Sequence, residues 1–304
     1  MKRKRELFVG VTSWNSELLL PLCLSSLRAT TTDIATRIVV HDNESDDASV
    51  RVAEAQGAEV IRMHGTQPEA LDCLAWHARE PFVLLIHADV VFLAADWFRV
   101  MCARLTGRVG MISPEDIGCG PHTRPWGAGM PESSFMLFRR DALAALRHRR
   151  WCRRFRIPYP RIMHDFFGEH VTYNIPARLA RRDWQIDLMP VHVSPSTPEP
   201  WFAPKIPTRH WRESLGRLKY GLGNFYSLEG RITHYHNWYD RLPKSNTEDD
   251  GRSSEADGGG LPVAFIARAT ERFIADYRRD TLEFPRVDGG TGATGAHAWH
   301  APAT

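Results

Sequence analysis

The apolar run at residues 82–92 is interrupted by two polar side chains of types that bind metal ions. His87 and Asp89 stand two positions apart, directly after Leu84, Leu85 and Ile86. In a β-strand, side chains at positions i and i+2 point to the same face of the sheet. A strand through this run would place the imidazole and the carboxylate side by side, so the pair is a candidate metal site.

A second apolar run, at residues 38–40, also ends in polar residues. His41 is followed by the sequence Asp-Asn-Glu-Ser-Asp-Asp at residues 42–47. Because open α/β sheets bind ligands beyond the carboxyl ends of their strands, two such runs predict one shared crevice. The alternative for residues 42–47 is a polar turn with a helix cap, which Asp, Asn and Ser favour.

Apolar runs alternate with segments of helical periodicity along the first half of the chain. Strands are predicted at residues 7–11, 38–41, 59–63, 82–86, 109–112 and 134–138. The alternation of short apolar runs with helical segments predicts an α/β fold with a mostly parallel sheet. The loop at residues 113–131 is rich in Gly and Pro and is predicted near the carboxyl edge of the sheet, where a substrate would be held.

The composition changes along the chain, and we predict five parts. Residues 1–196 form the α/β domain, and residues 197–244, which are rich in aromatic residues, form a helical extension. Residues 245–260 lack large apolar side chains and are predicted to be a flexible linker. An amphipathic helix is predicted within residues 261–284, and residues 285–304 are predicted to be a disordered tail.

Composition and charge narrow the class of protein. The 304 residues are 43% hydrophobic and 25% charged, which suits one large globular domain with appendages or two small domains. A net charge of +3 gives no reason to expect nucleic acid binding. The basic residues 147–156 suit either a solvated helix face or contact with an anionic acceptor or membrane headgroups. Five scattered cysteines without C-x-x-C spacing argue against a zinc site and a disulfide framework.

The start of the chain is basic, but the apolar run that follows is too short for a signal peptide, and no run is long enough to span a membrane. We therefore expect a cytoplasmic protein, with peripheral contact to the inner face of the membrane left open. The C-terminal helices would bind the acceptor, a membrane surface or a second copy of the chain in a homo-oligomer. Their spacing does not decide among these.

Four segments occur in an order and spacing that resemble family 2 glycosyltransferases of the GT-A fold. They are Val-Thr-Ser-Trp-Asn-Ser-Glu at 11–17, the acidic segment at 42–47, His-Ala-Asp at 87–89 and Glu-Ser-Ser-Phe-Met-Leu-Phe-Arg-Arg-Asp-Ala-Leu at 132–143. The resemblance covers the predicted α/β domain and implies a Rossmann-like sheet that binds a nucleoside diphosphate sugar. It further implies an inverting transfer of a hexosyl or deoxyhexosyl group to a hydroxyl of a glycan, a lipid-linked saccharide or a small natural product.

The resemblance places the donor nucleotide at the carboxyl edge of the sheet. Thr12 would lie beside the base, Asp42 would contact the base or the ribose, and Asp47 would support the loop. A carboxylate suits this role because it accepts strong hydrogen bonds from the N–H groups of a nucleobase. The donor-binding residues that the resemblance implies are Thr12, Trp14, Asn15, Asp42, Asp47 and His87.

His87 and Asp89 fall where the family has an Asp-x-Asp motif that holds a divalent cation against the donor diphosphate. A cation there stabilises the negative charge that develops on the leaving diphosphate. His87 replaces the first acid of the motif, and an imidazole shifts the expected cation from Mg²⁺ toward Mn²⁺. The alternative for His87 is a strand-end histidine held by a hydrogen bond. By the same resemblance His192 is a further candidate metal ligand, with a buried core histidine as its alternative.

An inverting transfer needs a base that takes the proton from the acceptor hydroxyl. In the family this carboxylate commonly stands in an acidic pair after the metal motif. His164-Asp165 is the best match, with Asp165 as the base and Glu169 as the second candidate. The alternatives are a helix cap for Asp165 and a solvent-facing carboxylate for Glu169. Glu132 and Trp126 are candidate acceptor contacts, since sugar rings pack on flat aromatic side chains.

Three other classes of protein compete with this interpretation. A sugar nucleotidyltransferase would carry a Gly-rich phosphate loop with a basic residue after the first strand, where this chain has Thr-Ser-Trp-Asn. A nicotinamide-dependent oxidoreductase is disfavoured because no G-x-G-x-x-G follows that strand. A non-catalytic sugar-nucleotide binding module stays open, because His87 and His164 stand where the family has acids.

Overall fold

The structure is a computed structural model that describes residues 6–115, 131–146, 172, 175–193, 220, 223–237 and 263–284. Within them, the strands are β1 (Glu6–Ser13), β2 (Ala35–Asp42), β3 (Glu59–Arg62), β4 (Phe82–His87), β5 (Val90–Phe92), β6 (Val109–Pro114), β7 (Phe135–Arg139), β8 (Gln185–Met189), β9 (Val191–Val193), β10 (Gly223–Leu228) and β11 (Arg231–Asn237). The helices are α1 (Leu20–Thr30), α2 (Ser49–Ala55), α3 (Gln67–His77), α4 (Trp97–Arg104), α5 (Arg140–Ala145), α6 (Ile175–Ala180) and α7 (Val263–Arg278).

A seven-stranded sheet in the order β3-β2-β1-β4-β7-β6-β8 forms the centre of the structure. Neighbouring strands are parallel except at β7, which is antiparallel to both β4 and β6. The strands are apolar along most of their length because helices cover both faces, with α1 and α4 on one side and α3, α5 and α6 on the other. The structure therefore confirms the predicted α/β fold and the six predicted strands.

A second, antiparallel sheet in the order β5-β11-β10-β9 joins the two halves of the chain. Its strands β10 and β11 form a hairpin, and the two turn residues Glu229 and Gly230 have positive φ angles of 52° and 73°. Turns of this kind match the twist of a hairpin. The predicted helical extension is therefore wrong for residues 223–237, where alternating β-branched and aromatic residues favour strands.

The amphipathic helix predicted within residues 261–284 is present as α7, and it packs on the small sheet. Phe273 and Tyr277 of α7 belong to one apolar cluster with Val91, Phe225 and Tyr235 of that sheet. Because β5 comes from the first half of the chain and β10 and β11 from the second, residue 196 does not separate two independent sheets. None of the described helices is long and apolar enough to cross a membrane.

Candidate functional site

A cleft lies at the carboxyl ends of β1, β2 and β4. Thr12 on β1 is in register with His41 on β2 and with His87 on β4, so these side chains form a row on one face of the sheet. The N-terminus of α3, where Thr66 and Glu69 form a capping box, borders the same cleft. The cleft has a volume of about 450 Å³, and its lining residues are Thr12, Ser13, Trp14, Ser16, His41, Asn43, Gly65, Thr66, Gln67, Ala70, His87, Ala88 and Asp89.

Two loops at this edge are tied together by hydrogen bonds between side chains and main chain. Asp47 accepts hydrogen bonds from the main-chain N–H of Glu17 (3.0 Å) and of Ser49 (2.8 Å). Asn15 Oδ1 accepts one from the N–H of Asp46 (3.0 Å), and the main chain at Asn15 has a φ of +46°. Asn15 and Asp47 therefore shape the loops after β1 and β2.

The carboxylate of Asp42 is directed into its own loop. Its Oδ1 accepts a hydrogen bond from Ser45 Oγ (2.5 Å) and its Oδ2 accepts one from the Ser45 N–H (2.9 Å). This geometry favours the turn interpretation of the segment, since Asp commonly stabilises a turn in this way. At this strand end the described lining of the cleft contains His41 and Asn43 but not Asp42. Burial lowers the pKa of His41, and neither of its ring nitrogens has a hydrogen-bond partner within the described residues.

Three side chains form a group that could hold a metal ion. One ligand atom from each of His87, Asp89 and His236 lies within 4.8 Å of the others. His87 and Asp89 come from the end of β4, and His236 comes from β11, where it pairs with Val90 of β5. The main-chain N–H of Asn237 donates to the carbonyl oxygen of Asp89 (3.0 Å), which holds the turn after β4 against the small sheet. Two imidazoles and one carboxylate are a donor set that fits divalent first-row transition metal ions.

His236 is fully buried between two carboxylates. Its Nε2 lies 3.3 Å from Asp89 Oδ1, and its Nδ1 lies 3.1 Å from Glu132 Oε1. Burial alone would lower the pKa of His236, but Asp89 and Glu132 outweigh this effect and raise the pKa to about 9. The two carboxylates therefore favour the protonated form of the ring, and a cation bound at Nε2 would take the place of that proton.

The remaining residues expected from the sequence lie in different surroundings. Trp14 stands at the cleft with 48% of its surface exposed, as suits a residue that meets a ligand. His87 Nε2 lies 2.5 Å from Gln67 Nε2 at the start of α3. Glu132 is only 7% exposed and accepts a hydrogen bond from Tyr226 Oη (2.5 Å), which differs from the expected contact with an acceptor.

His192 does not join the described metal group. It lies on β9, its Nε2 is 2.8 Å from Ser227 Oγ, and β10 separates its strand from β11. The third residue of the group, besides His87 and Asp89, is His236. Trp126, Asp165 and Glu169 lie outside the described residues.

His236 and Tyr226 are not among the residues expected from the sequence. The signal for His236 is the alternation of residues 232–236 after a Glu-Gly turn, which places His234 and His236 on one face of a strand. A helical interpretation of the surrounding aromatic segment hides this period of two. A strand interpretation would have placed His236 on the same face as His234 but would not have identified β5 as its partner.

Comparison with protein families identifies the family of this chain. Glycosyl transferase family 2 matches residues 8–184, which is more than half of the chain. No curated protein matches the chain. The matched residues contain the cleft, His87 and Asp89, whereas His236 lies beyond them.

Several solved structures of glycosyltransferases are similar to this chain. A mannosyltransferase, PcManGT from Pyrobaculum calidifontis in complex with GDP-Man and Mn²⁺, is 15% identical with a TM-score of 0.44, and the match covers 73% of this chain and 63% of that one. TarS from S. aureus is 17% identical with a TM-score of 0.35, covering 46% of this chain and 48% of that one. Glucosyl-3-phosphoglycerate synthase from Mycobacterium tuberculosis, in complex with Mn²⁺ and uridine diphosphate, is 16% identical with a TM-score of 0.34, covering 46% and 59%.

This chain therefore spans less than two thirds of the length of each of these three structures. The family match covers β1 to β7 and most of the large sheet. On that match, the chain belongs to glycosyl transferase family 2, and its mostly parallel sheet with flanking helices is the GT-A fold.

Proposed function

We propose that this protein transfers a glycosyl group from a nucleoside diphosphate sugar to an acceptor hydroxyl with the help of a divalent cation. The observation that carries the proposal is that His87 and Asp89 line the cleft and also belong, with His236, to the metal group. A nucleotide in the cleft would extend its diphosphate toward a cation held there. The family match supports the class of reaction.

His87, Asp89 and His236 would hold the cation. Bound there, it would neutralise the charge that develops on the diphosphate as the glycosidic bond breaks. The group contains two nitrogen ligands and one carboxylate, whereas Mg²⁺ prefers oxygen ligands. We therefore propose Mn²⁺ as the preferred cation and Mg²⁺ as a weaker substitute.

The nucleoside would occupy the cleft beside Trp14 and Thr12. The exposed indole at the rim offers a flat surface on which a base can stack. Asn15 and Asp47 would act on the nucleotide indirectly, because their side chains hold the loops that form the cleft. Asp42 would act in the same indirect way through its turn with Ser45.

For the acceptor half of the reaction we propose Asp165 as the base, Glu169 as the second candidate, and Trp126 as a platform for the acceptor. The base would take the proton of the acceptor hydroxyl while its oxygen attacks the anomeric carbon and the bond to the diphosphate breaks. Attack from the side opposite the leaving group would invert the configuration at that carbon. The acceptor would be a glycan, a lipid-linked saccharide or a small natural product.

The test is a panel of UDP-, GDP- and dTDP-sugars incubated with the protein and Mn²⁺. We expect one nucleotide class to release nucleoside diphosphate by transfer or slow hydrolysis, EDTA to stop the release, and added Mn²⁺ to restore it. Binding of nucleotide and Mn²⁺ without any release would contradict the proposed catalysis and indicate a binding module. Formation of pyrophosphate from a nucleoside triphosphate and a sugar phosphate would indicate a nucleotidyltransferase.

Trp14→Ala should weaken binding of the nucleoside diphosphate that this panel identifies by about 5- to 150-fold, since stacking of a base on an aromatic ring contributes roughly 1–3 kcal/mol. Isothermal titration calorimetry in the presence of Mn²⁺ measures the change. Trp76→Ala is the matched control, because Trp76 is 52% exposed on α3 and is not part of the described cleft lining. Unchanged affinity in Trp14→Ala, or an equal loss in both variants, would contradict a stacking role.

A further inference from the structure

We infer that Glu132 and Tyr226 are a positioning pair that holds the His236 ring with its Nε2 directed at the cation. The inference rests on the proposed function, because it concerns the metal group assigned there. Neither residue belongs to that group, and they come from different parts of the fold. Glu132 precedes β7 of the large sheet, and Tyr226 lies on β10 of the small sheet.

Four side chains form a continuous series of contacts from Tyr226 to Asp89. Tyr226 Oη donates to Glu132 Oε2 (2.5 Å), and Glu132 Oε1 lies 3.1 Å from His236 Nδ1. At the other end of the ring, His236 Nε2 lies 3.3 Å from Asp89 Oδ1. None of the four residues is more than 7% exposed, so water competes little with these contacts. The contact with Glu132 therefore orients the imidazole so that its Nε2 lies next to Asp89.

The donor and acceptor roles determine which ring nitrogen is available to a metal ion. An ionised carboxylate can only accept hydrogen bonds, so Glu132 accepts one from the Tyr226 hydroxyl and one from Nδ1–H of His236. With a proton held on Nδ1, Nε2 is the nitrogen that carries the lone pair of the neutral ring. Histidines that bind metals commonly donate their other N–H to a carboxylate, and this partner orients the ring and strengthens it as a ligand.

Packing fixes Tyr226 in this arrangement. Its ring stacks on His234 with 4.7 Å between centroids, and His234 stacks in turn on Phe135 at 4.3 Å. Phe135 follows Glu132 by three positions, so the aromatic stack links the hairpin to the segment that carries the carboxylate. Rotation of Glu132 away from His236 would leave buried donors without an acceptor, which is costly. The pair therefore has one favourable arrangement.

The test compares Mn²⁺ affinities of full-length variants, measured without donor or acceptor from the electron paramagnetic resonance signal of free Mn²⁺. Glu132→Gln should weaken Mn²⁺ binding by about 10- to 100-fold, because an amide has one accepting end and cannot serve both donors. Tyr226→Phe removes the outer hydrogen bond, to Glu132, and should weaken binding by about 2- to 10-fold. Tyr235→Phe is the matched control, since it removes a buried hydroxyl that donates to the Tyr220 carbonyl (3.0 Å), away from Glu132.

Losses in Glu132→Gln and Tyr226→Phe, with Tyr235→Phe at wild-type affinity, support the inference. Wild-type affinity in Glu132→Gln, or equal losses in the two tyrosine variants, overturn it. If Glu132→Gln does not fold, as judged by circular dichroism and thermal melting, the comparison of the two tyrosine variants decides. If the wild-type protein binds no divalent cation, the proposed metal site itself is wrong. If the wild type binds Mn²⁺ and the variants bind it equally well, the positioning role is wrong and the metal site stands.

Discussion

Asp89→Asn is expected to lower kcat for transfer by about 10³-fold or more, because a bound cation supplies several kcal/mol of stabilisation to the charge on the leaving diphosphate. Asp89 is the single carboxylate in the described metal group. Asparagine keeps the shape of the side chain, and the main-chain hydrogen bond between Asp89 and Asn237 does not depend on the substitution. Initial rates at saturating donor, together with Mn²⁺ affinity, measure the effect.

Asp46→Asn is the control for this substitution. It removes a carboxylate from the same edge of the sheet, at a residue that is exposed in the loop after β2. We expect it to keep wild-type rates and Mn²⁺ affinity, since an exposed carboxylate outside the metal group contributes little to the field at the cation. Full activity in Asp89→Asn, or equal losses in the two variants, would show that the cation is not held at the end of β4.

The large sheet and two of the three residues of the metal group, His87 and Asp89, are predictable from the sequence because their signals are local. The strand at Phe82–His87 is buried on both faces, so its apolar run marks it without knowledge of its neighbours. The common direction of His87 and Asp89 follows from the period of two alone. In the same way the helical stripe that includes Phe273 and Tyr277 predicts α7.

The lining of the cleft at β2 is less predictable, because it depends on which of two adjacent residues faces the ligand. His41 is in register with Thr12, whereas Asp42 is in register with Ser13 and its carboxylate is bound by Ser45. A shift of one residue exchanges the two faces of a strand. The acidic residue types at 42–47 suggest a contact with the nucleotide, but hydrogen bonds to Ser45, three residues along the chain, assign the carboxylate of Asp42 to the turn.

The pairing of β5 with β11 in the small sheet is not predictable from local patterns. Its strand β5 has three residues, and its partner β11 lies in the other half of the chain. Periodicity reports which face of an element is apolar, and it does not report which distant strand pairs with it. For this reason the proximity of His236 to Asp89, Glu132 and Tyr226 becomes visible only in three dimensions.

His236→Gln is expected to weaken Mn²⁺ binding by at least about 100-fold, and transfer is expected to fall with it. Loss of a residue that hydrogen-bonds to a metal ligand typically lowers metal affinity by about 10- to 100-fold, so loss of the ligand itself should lower it by at least as much. The substitution also removes the imidazole that lies between Asp89 and Glu132. Mn²⁺ titration and steady-state kinetics with the donor measure the two effects.

His192→Gln provides the decisive comparison, because the sequence favours His192 as the additional ligand and the structure favours His236. Both histidines lie on the small sheet, but His192 contacts Ser227 on β10 and is outside the described metal group. We expect His192→Gln to bind Mn²⁺ as the wild type does. The opposite result, a loss in His192→Gln with His236→Gln unaffected, would mean that β11 does not close the metal group. It would also mean that residues 8–184 together with β9, rather than the C-terminal hairpin, complete the site.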